Sequence, residues 1–374
     1  MQTAKKESLL RKPGVQTLLA SLICILLGLL VGYIALLIIN PAGATEAILD
    51  VIKNFWAYSK PEKQLKNFGV TLVTTAPLLM CSLSVLFAYK VGLFNIGAAG
   101  QYVAGAGASL FCALALHLPW YLCLIAAMLM GALLGAISGC LKAYRNVNEV
   151  ISCIMLNWIS LYLVNTLLTK VKNPTGKDTY TVASQSVGSM LPTLGLNNVF
   201  NQKNVTLAIP LAVVVCVFIW VLLNKTKLGY ELRATGLNKN AAKYCGMRDR
   251  YNIILTMAIA GGLAGMGAAM LYLSDFEQWA VTQASVPAMG FNGIAAAFLG
   301  GLNPIGAIFS SYFIQHITRG GANVNMNMYC AQISDLISSV IIYMCSFVLF
   351  MKQTMNKRLD AMEAKIRTKG GNDA

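Results

Sequence analysis

The chain has 374 residues, of which 57% are hydrophobic and only 11% are charged, whereas soluble proteins average about 25% charged residues. This composition excludes an ordinary soluble domain. The net charge of +15 would suit a nucleic-acid-binding protein, but the cationic residues concentrate in alternate loops between apolar runs, as the positive-inside rule requires. We therefore expect contact with the lipid bilayer and no nucleic-acid partner.

Apolar runs of about 20 residues predict an all-α, polytopic transmembrane helical bundle, and their continuous rather than alternating pattern disfavours a β-barrel. About ten spans are predicted, at 15–39, 67–88, a third ending near 117–119, 120–141, 150–168, 205–223, 253–273, 286–300, 305–317 and 333–351. Residues 42–66 predict an interfacial helix on the outer face. Gly131, Gly135 and Gly139 predict a bare helix face that a neighbouring helix can approach closely. The sequence leaves open whether 286–317 forms two thin spans or a re-entrant pair.

The charges of the loops predict the orientation of the bundle. Of the 29 Lys and Arg residues, 20 fall in the predicted inner segments and 9 in the outer ones. Both termini are therefore expected in the cytoplasm, as an N-terminal tail over 1–14 and a C-terminal tail over 352–374, with a basic cytoplasmic loop over 224–250. The whole chain, 1–374, is treated as a single transmembrane domain.

Nothing in the sequence indicates catalysis. His117 and His316 are far apart and belong to no Ser/His/Asp set, and no pair of carboxylates stands out. The phosphate-loop pattern GxxxxGK[ST] is absent, so the chain is expected to bind no ATP and no other cofactor. The ten cysteines contain no CxxC pair, and we expect neither a metal site nor disulfides from them.

Polar side chains inside the predicted spans are the better functional clue, because such groups usually face the bundle interior, a water path or each other. As a group they predict a pathway for a polar, uncharged solute, with aromatic neighbours that could stack on a ring. For any one amide a structural hydrogen bond is the alternative, and for each aromatic ring the alternative is packing. The candidate pathway residues are Phe94, Asn95, Gln101, Asn157, Trp158, Phe291 and Asn292.

The loop over 224–250 is the longest strongly polar interruption in the second half of the chain, and its seven cationic residues outnumber Glu231 and Asp249. Within it, Ala241 to Gly246 has the spacing A-A-x-x-x-G. A face of small residues followed by a glycine stop predicts a short helix, parallel to the membrane, that fits into a groove of a partner. The alternative is a solvated loop without a partner.

Four blocks of the sequence carry a resemblance to a known family. They are FNIGAAGQ (94–101), NEVISCIMLNW (148–158), RATGLNKNAAKYCGM (233–247) and GFNGIAAAFLGGLNPIG (290–306). With these blocks in family order, the chain resembles the ABC importer permeases for simple sugars and nucleosides, of the branched-chain and ribose type. It is most similar to the nucleoside branch that works with basic-membrane-protein-type lipoproteins. The resemblance implies a ten-helix, multi-pass permease in a bacterial cell (plasma) membrane.

The resemblance also implies partners. These are a second permease subunit, expected to be a different chain, an ABC ATPase subunit that binds ATP and Mg, and an extracellular solute-binding lipoprotein. It places the family's coupling helix, which sits in a groove of the ATPase, in the 224–250 loop. The implied coupling residues are Glu231, Arg233, Gly236, Asn240, Ala241, Ala242 and Gly246. Asn240 stands where the family often has Glu, and Ala99 stands where many members have Glu, so those carboxylates are absent from this chain.

The expected function is therefore that of a permease subunit for nucleosides, not an enzyme, with simple sugars as the second choice of cargo. An ion-coupled secondary transporter is an alternative from another class. It would predict paired acids or unwound ion sites at mid-membrane, and no such pattern is apparent in the sequence. A membrane scaffold or insertion factor is a third alternative, but it would leave the buried amides unexplained.

Overall fold

The computed structural model describes residues 13–171, 178–325, 328–329, 333–345 and 347–370. The predicted N-terminal tail over 1–14 thus lies almost wholly outside the described residues. The α-helices in chain order are α1 (Pro13–Ile39), α2 (Ala44–Lys53), α3 (Pro61–Lys90), α4 (Ala98–Leu114), α5 (Trp120–Arg145), α6 (Glu149–Thr169), α7 (Leu196–Phe200), α8 (Ala208–Lys225), α9 (Lys227–Leu237), α10 (Lys239–Tyr244), α11 (Asp249–Tyr272), α12 (Met289–Leu299), α13 (Pro304–Gly320), α14 (Ile333–Cys345) and α15 (Val348–Gly370). The strands in the described part of the chain are β1 (Thr179–Tyr180) and β2 (Trp279–Ala280).

The predicted all-α, polytopic fold is confirmed at this level. Among the described residues, six helices are long and apolar enough to cross a bilayer, judged by length and composition: α1, α3, α5, α6, α8 and α11. Helices α4 and α12 are apolar but shorter. The count of ten spans and the cytoplasmic location of the termini stay predictions.

Helices α3 and α11 form the centre of the bundle, since both are buried over most of their length. In helices α5, α6 and α8, most residues are not buried inside the structure. Their exposed side chains are largely apolar, as expected for surfaces that meet lipid or another membrane subunit.

The glycine face predicted on the fourth span is confirmed, and α11 is the helix that approaches it. A Cβ atom on Gly131 would lie 3.0 Å from Cα of Gly265, and one on Gly135 would lie 2.8 Å from the carbonyl carbon of Met257. The first distance is tighter than most real Cβ contacts, and the second is shorter than real Cβ atoms show. The two helices therefore touch backbone to backbone, which only glycine permits at these positions.

Contacts between connecting segments define two ends of the bundle. At one end, which we call the inner end, the guanidinium of Arg250 lies 5.4 Å from the ring centre of Tyr144, so the end of the basic loop meets the last turn of α5. At the opposite, outer end, β1 pairs with β2 in antiparallel register, with Thr179 opposite Ala280. This pairing, which the sequence did not indicate, joins the segment before α7 to the segment after α11.

Three element boundaries differ from the predictions. The predicted interfacial helix over 42–66 is a shorter helix, α2, and α3 already begins at Pro61, because proline is well placed in the first turn of a helix. The predicted last span over 333–351 is interrupted between α14 and α15, and α15 continues through most of the predicted tail over 352–374. The segment over 286–317 consists of a short helix, α12, a turn and a longer helix, α13.

Candidate functional site

Asn95 and Gln101 bind each other across the start of α4. Nδ2 of Asn95 donates to Oε1 of Gln101 at 2.8 Å and to Oγ of Ser84 at 2.9 Å, and Nε2 of Gln101 donates to Oδ1 of Asn95 at 3.2 Å. Both amides are almost completely buried. Their hydrogen bonds connect α3, the loop before α4 and α4 itself. In this conformation Asn95 and Gln101 therefore make structural hydrogen bonds, which was the alternative to contact with a solute.

Asn157 on α6 joins the same group of amides from the other side. Its Oδ1 accepts from the backbone N–H of Gly100 at 2.8 Å, and its Nδ2 donates to the carbonyl of Ile96 at 3.2 Å. Gly100 lies in the first turn of α4, where backbone N–H groups have no partner inside the helix. Asn157 therefore caps α4 from a neighbouring helix. We call Ser84, Asn95, Gln101 and Asn157 the amide cluster.

The remaining pathway candidates are more exposed than the amide cluster. Trp158 and Phe291 are exposed, while Phe94 and Asn292 are half-buried. The ring of Trp158 stacks on Tyr162, one turn further along α6, with 6.2 Å between the ring centres. For the side-chain amide of Asn292, no hydrogen-bond partner occurs among the described residues. The seven predicted residues thus divide into three buried, hydrogen-bonded amides, Asn95, Gln101 and Asn157, and four more exposed residues that are placed to meet a solute or another subunit.

The basic loop forms two helices where one short helix was predicted. The side chain of Thr226 accepts from the N–H of Gly229 at 3.1 Å and caps α9, and Oδ1 of Asn238 accepts from the N–H of Ala241 at 3.0 Å and caps α10. Asn238 has extended backbone angles, so it ends α9 and starts α10 at the same point. Gly246 follows with φ of +82°, a conformation that favours glycine. We call α9 and α10 together the basic hairpin.

The predicted coupling residues occupy different positions on the basic hairpin. Glu231 pairs with Lys227 at 3.7 Å, and Nε of Arg233 donates to the carbonyl of Gly229 at 3.4 Å. Asn240, Ala241 and Gly246 are exposed, whereas Ala242 is buried against the chain itself and Gly236 packs on a neighbouring loop. Ala242 and Gly236 are therefore placed to seat the hairpin, and the exposed residues are placed to meet a partner.

Two residues that the sequence analysis did not select stand out on the hairpin. Leu237 is 89% exposed and Tyr244 is 93% exposed, and each lies at the C-terminal end of its helix. Large apolar side chains in a basic, water-facing segment indicate contact with another protein. The break at Asn238 is the signal that could have found Leu237, because Asn is a favoured N-cap residue.

The basic hairpin is fixed to the bundle by several contacts, including an ion pair between Lys239 and Asp249 at 3.5 Å. Nδ2 of Asn252 on α11 donates to Oγ1 of Thr235 at 2.8 Å, and both residues are buried. A close backbone contact adds to these, because a Cβ atom on Gly236 would lie 2.7 Å from Cα of Val91, and one on Gly92 would lie 2.8 Å from the carbonyl oxygen of Gly236. Because Gly92 opens the loop that carries Asn95, the hairpin touches the segment held by the amide cluster.

Residues 67–346 match the family described as the permease component of the branched-chain amino acid transport system. The chain belongs to this family. Together with the six long apolar helices among the described residues, membership indicates a multi-pass membrane protein. Relatives in this family are transport subunits rather than enzymes, and the family implies an ATPase and a solute-binding protein as partners.

Several curated relatives cover most of the chain. The guanosine ABC transporter permease protein NupP of Bacillus subtilis is 32% identical over 368 residues, which is 95% of this chain and 98% of that protein. The nucleoside ABC transporter permease protein NupB of Lactococcus lactis is 31% identical, over 94% of this chain and 96% of that protein. A second Bacillus subtilis protein, the guanosine ABC transporter permease protein NupQ, is 29% identical over 65% of this chain and 77% of that protein. Permease proteins for glucose and D-allose are more distant relatives, and no solved structure is significantly similar.

Proposed function

We propose that this chain is a permease subunit of an ATP-driven importer that carries nucleosides across a bacterial plasma membrane. The observation that carries the proposal is the end-to-end similarity to NupP and NupB, each covered to more than nine-tenths of its length. Simple sugars are the second candidate cargo, since glucose and D-allose permease proteins are also similar, at 27% and 24% identity.

The basic hairpin is the proposed docking site for the ATPase subunit. Its support is the exposure of Leu237, Asn240, Ala241 and Tyr244 in a segment that is fixed to the bundle. ATP-driven closure of the ATPase pushes on the tip, and the contact between Gly236 and Val91 passes the displacement to the loop held by the amide cluster. ATP and Mg bind to the ATPase, and this chain contributes no cofactor site.

The proposed complex contains two different permease chains. The support is that NupP and NupQ, both guanosine permease proteins of one Bacillus strain, are each similar to this chain. The solute-binding lipoprotein delivers the solute at the outer end. The bundle crosses the membrane about ten times and keeps both termini in the cytoplasm, in line with the distribution of Lys and Arg.

The docking proposal is tested with Ala241→Arg, which adds a long cationic side chain to an exposed position at the tip. We expect ATP-dependent uptake to be lost while the amount of protein in the membrane is unchanged. Asn224→Arg is the matched control, because it adds the same charge to an exposed position before the hairpin. Normal uptake by Ala241→Arg would refute docking at this site.

The cargo is tested by measuring uptake of labelled nucleosides and simple sugars into vesicles that hold the complete complex. We expect guanosine or another nucleoside to be taken up only when ATP is present. Uptake restricted to a sugar would replace the nucleoside proposal with the sugar alternative. Uptake that survives ATP depletion, but stops when ion gradients are collapsed, would refute an ATP-driven importer altogether.

A further inference from the structure

The chain crosses part of the bundle without a helix between β2 and α12. Residues 281–288 are non-helical, and α12 has only 11 residues. At about 1.5 Å per residue, α12 rises roughly 16 Å, about half of a hydrocarbon core of roughly 30 Å. The rest of this crossing must be made by the irregular segment.

The contacts of α12 show which half it fills. The ring of Phe298 near its end lies 5.3 Å from the ring of Tyr89, at the inner end of α3. A Cβ atom on Gly293 would lie 2.7 Å from Cβ of Cys81, which lies eight residues before Tyr89 on the same helix. Helix α12 therefore occupies the inner half of the bundle and begins near mid-depth.

The contacts of α6 show where the irregular segment runs. Oδ1 of Asn165 accepts from Nε1 of Trp279 at 3.0 Å, and its Nδ2 donates to the carbonyl of Gln283 at 3.0 Å. Further on, Gly290 packs against Ala99, whose neighbour Gly100 bonds to Asn157. Asn165 and Asn157 are separated by about 12 Å along α6. Residues 283–290 thus descend from the outer end to mid-depth beside α6.

Backbone donors in this segment lack partners. The N–H of Gln283 donates to Ala280, and the N–H of Asn292 donates to Ala288. Between these two, Pro287 has no N–H, and the N–H groups of residues 284–286 and 288–291 make no backbone hydrogen bond within the described part of the chain. Ala284, Ser285 and Ala288 are also exposed. An unpaired N–H in lipid costs several kcal/mol, and irregular backbone at membrane depth occurs where it is buried in protein or lines water.

We infer that residues 284–291 line a water-filled section of the solute path. The inference deepens the proposed function and rests on it for the identity of the solute, but not for the presence of water. Phe291 and Asn292 belong to the predicted pathway, and the structure adds Ala284, Ser285 and Ala288, which no pattern in the sequence selected. The segment contains no Asp or Glu, so it offers unpaired N–H donors to hydroxyl and carbonyl oxygens of a neutral solute rather than a cation site.

The position of the segment fits this role, because two helices begin at the same depth. Gly290 in the first turn of α12 packs on Ala99 in the first turn of α4. A Phe-Asn pair accompanies each start, as Phe94-Asn95 before α4 and Phe291-Asn292 in α12. In the first pair, Asn95 is tied into the amide cluster. The second is the more open of the two, which leaves it available to the solute.

The test measures how fast a charged, membrane-impermeant methanethiosulfonate reagent labels single cysteines in the assembled complex. Thiols react through the thiolate, which forms in water and not in lipid. Four native cysteines are first replaced by serine. Cys140 and Cys245 are exposed, and the side chains of Cys330 and Cys345 are not among those that the structure describes. Ser285→Cys and Ala288→Cys are then compared with Leu133→Cys, an exposed apolar position on α5.

We expect both segment cysteines to be labelled at least tenfold faster than Leu133→Cys, and saturating guanosine to slow the labelling. Labelling of Ser285→Cys and Ala288→Cys no faster than Leu133→Cys would overturn the inference, because the segment would then be covered by the second permease chain or by lipid. Fast labelling in a complex that imports no nucleoside would refute the proposed cargo and leave the water-filled section standing.

Discussion

The contact between the basic hairpin and the bundle leads to a quantitative prediction for Gly236→Ala. The new Cβ atom would lie 2.5 Å from the carbonyl oxygen of Val91 and 2.7 Å from its Cα. Ordinary carbon contacts are about 3.5–4.0 Å, so the hairpin and the loop must separate by roughly 1 Å. Overpacking of this kind costs about 1–3 kcal/mol. If the cost falls on the coupled conformation, its population drops by about 5- to 150-fold.

The assay compares ATP-driven uptake with ATP hydrolysis in the reconstituted complex. We expect Gly236→Ala to lower uptake by at least fivefold while basal hydrolysis in the ATPase subunit continues, because the displacement no longer reaches the loop held by the amide cluster. Gly188→Ala is the control, since a Cβ atom at Gly188 meets nothing within 4 Å. If the complex with Gly236→Ala took up as much solute per ATP hydrolysed as the wild type, the proposal that displacement passes through this contact would be refuted.

Two further predictions separate packing from transport. Gly135→Ala forces α5 away from Met257 on α11. We expect thermal unfolding in detergent to show a free energy of unfolding that is lower by about 1–3 kcal/mol. Unchanged stability would contradict the close contact between the two helices. Asn157→Leu leaves the buried N–H of Gly100 without its acceptor and should cost about 1–3 kcal/mol of stability. Trp158→Ala instead removes an exposed ring, so it should leave stability nearly unchanged and raise the KM for uptake. The reverse result, with Trp158→Ala destabilising and Asn157→Leu affecting only KM, would show that the two roles are exchanged.

Much of the fold could be predicted because the physics that sets it is local. A run of 20 apolar residues can satisfy its backbone in lipid only as a helix, so helices such as α5, α6 and α8 begin and end close to their predicted bounds. The close helix contact at the glycines of α5 could also be predicted from the sequence, since residues four apart share one helix face. The pairing of Thr179 with Ala280 was not, because it joins segments about 100 residues apart that carry no strand pattern.

The candidate site was predictable in its members but not in their roles. Polar residues in apolar surroundings can be recognised from sequence, and Asn95, Gln101 and Asn157 were selected in this way. Whether an amide faces a solute or another amide depends on which helices become neighbours. The irregular crossing beside α6 was missed because Ala284, Ser285 and Ala288 carry little that distinguishes them from a loop, and only the backbone of the folded chain reveals their depth.

The glycine contacts of α11 have a mechanical consequence. Helix α11 touches α5 through Gly131 and Gly135, and it touches α4 at Gly105, where the glycine meets the backbone of Gly265. Contacts between backbones have no side chains that can change rotamer, and packed interfaces shift between discrete arrangements rather than deforming continuously. Helices α4, α5 and α11 therefore form one rigid block. Any alternation between outward- and inward-facing states must bend the chain elsewhere, at the irregular stretches over 91–97, 281–288 and 300–303.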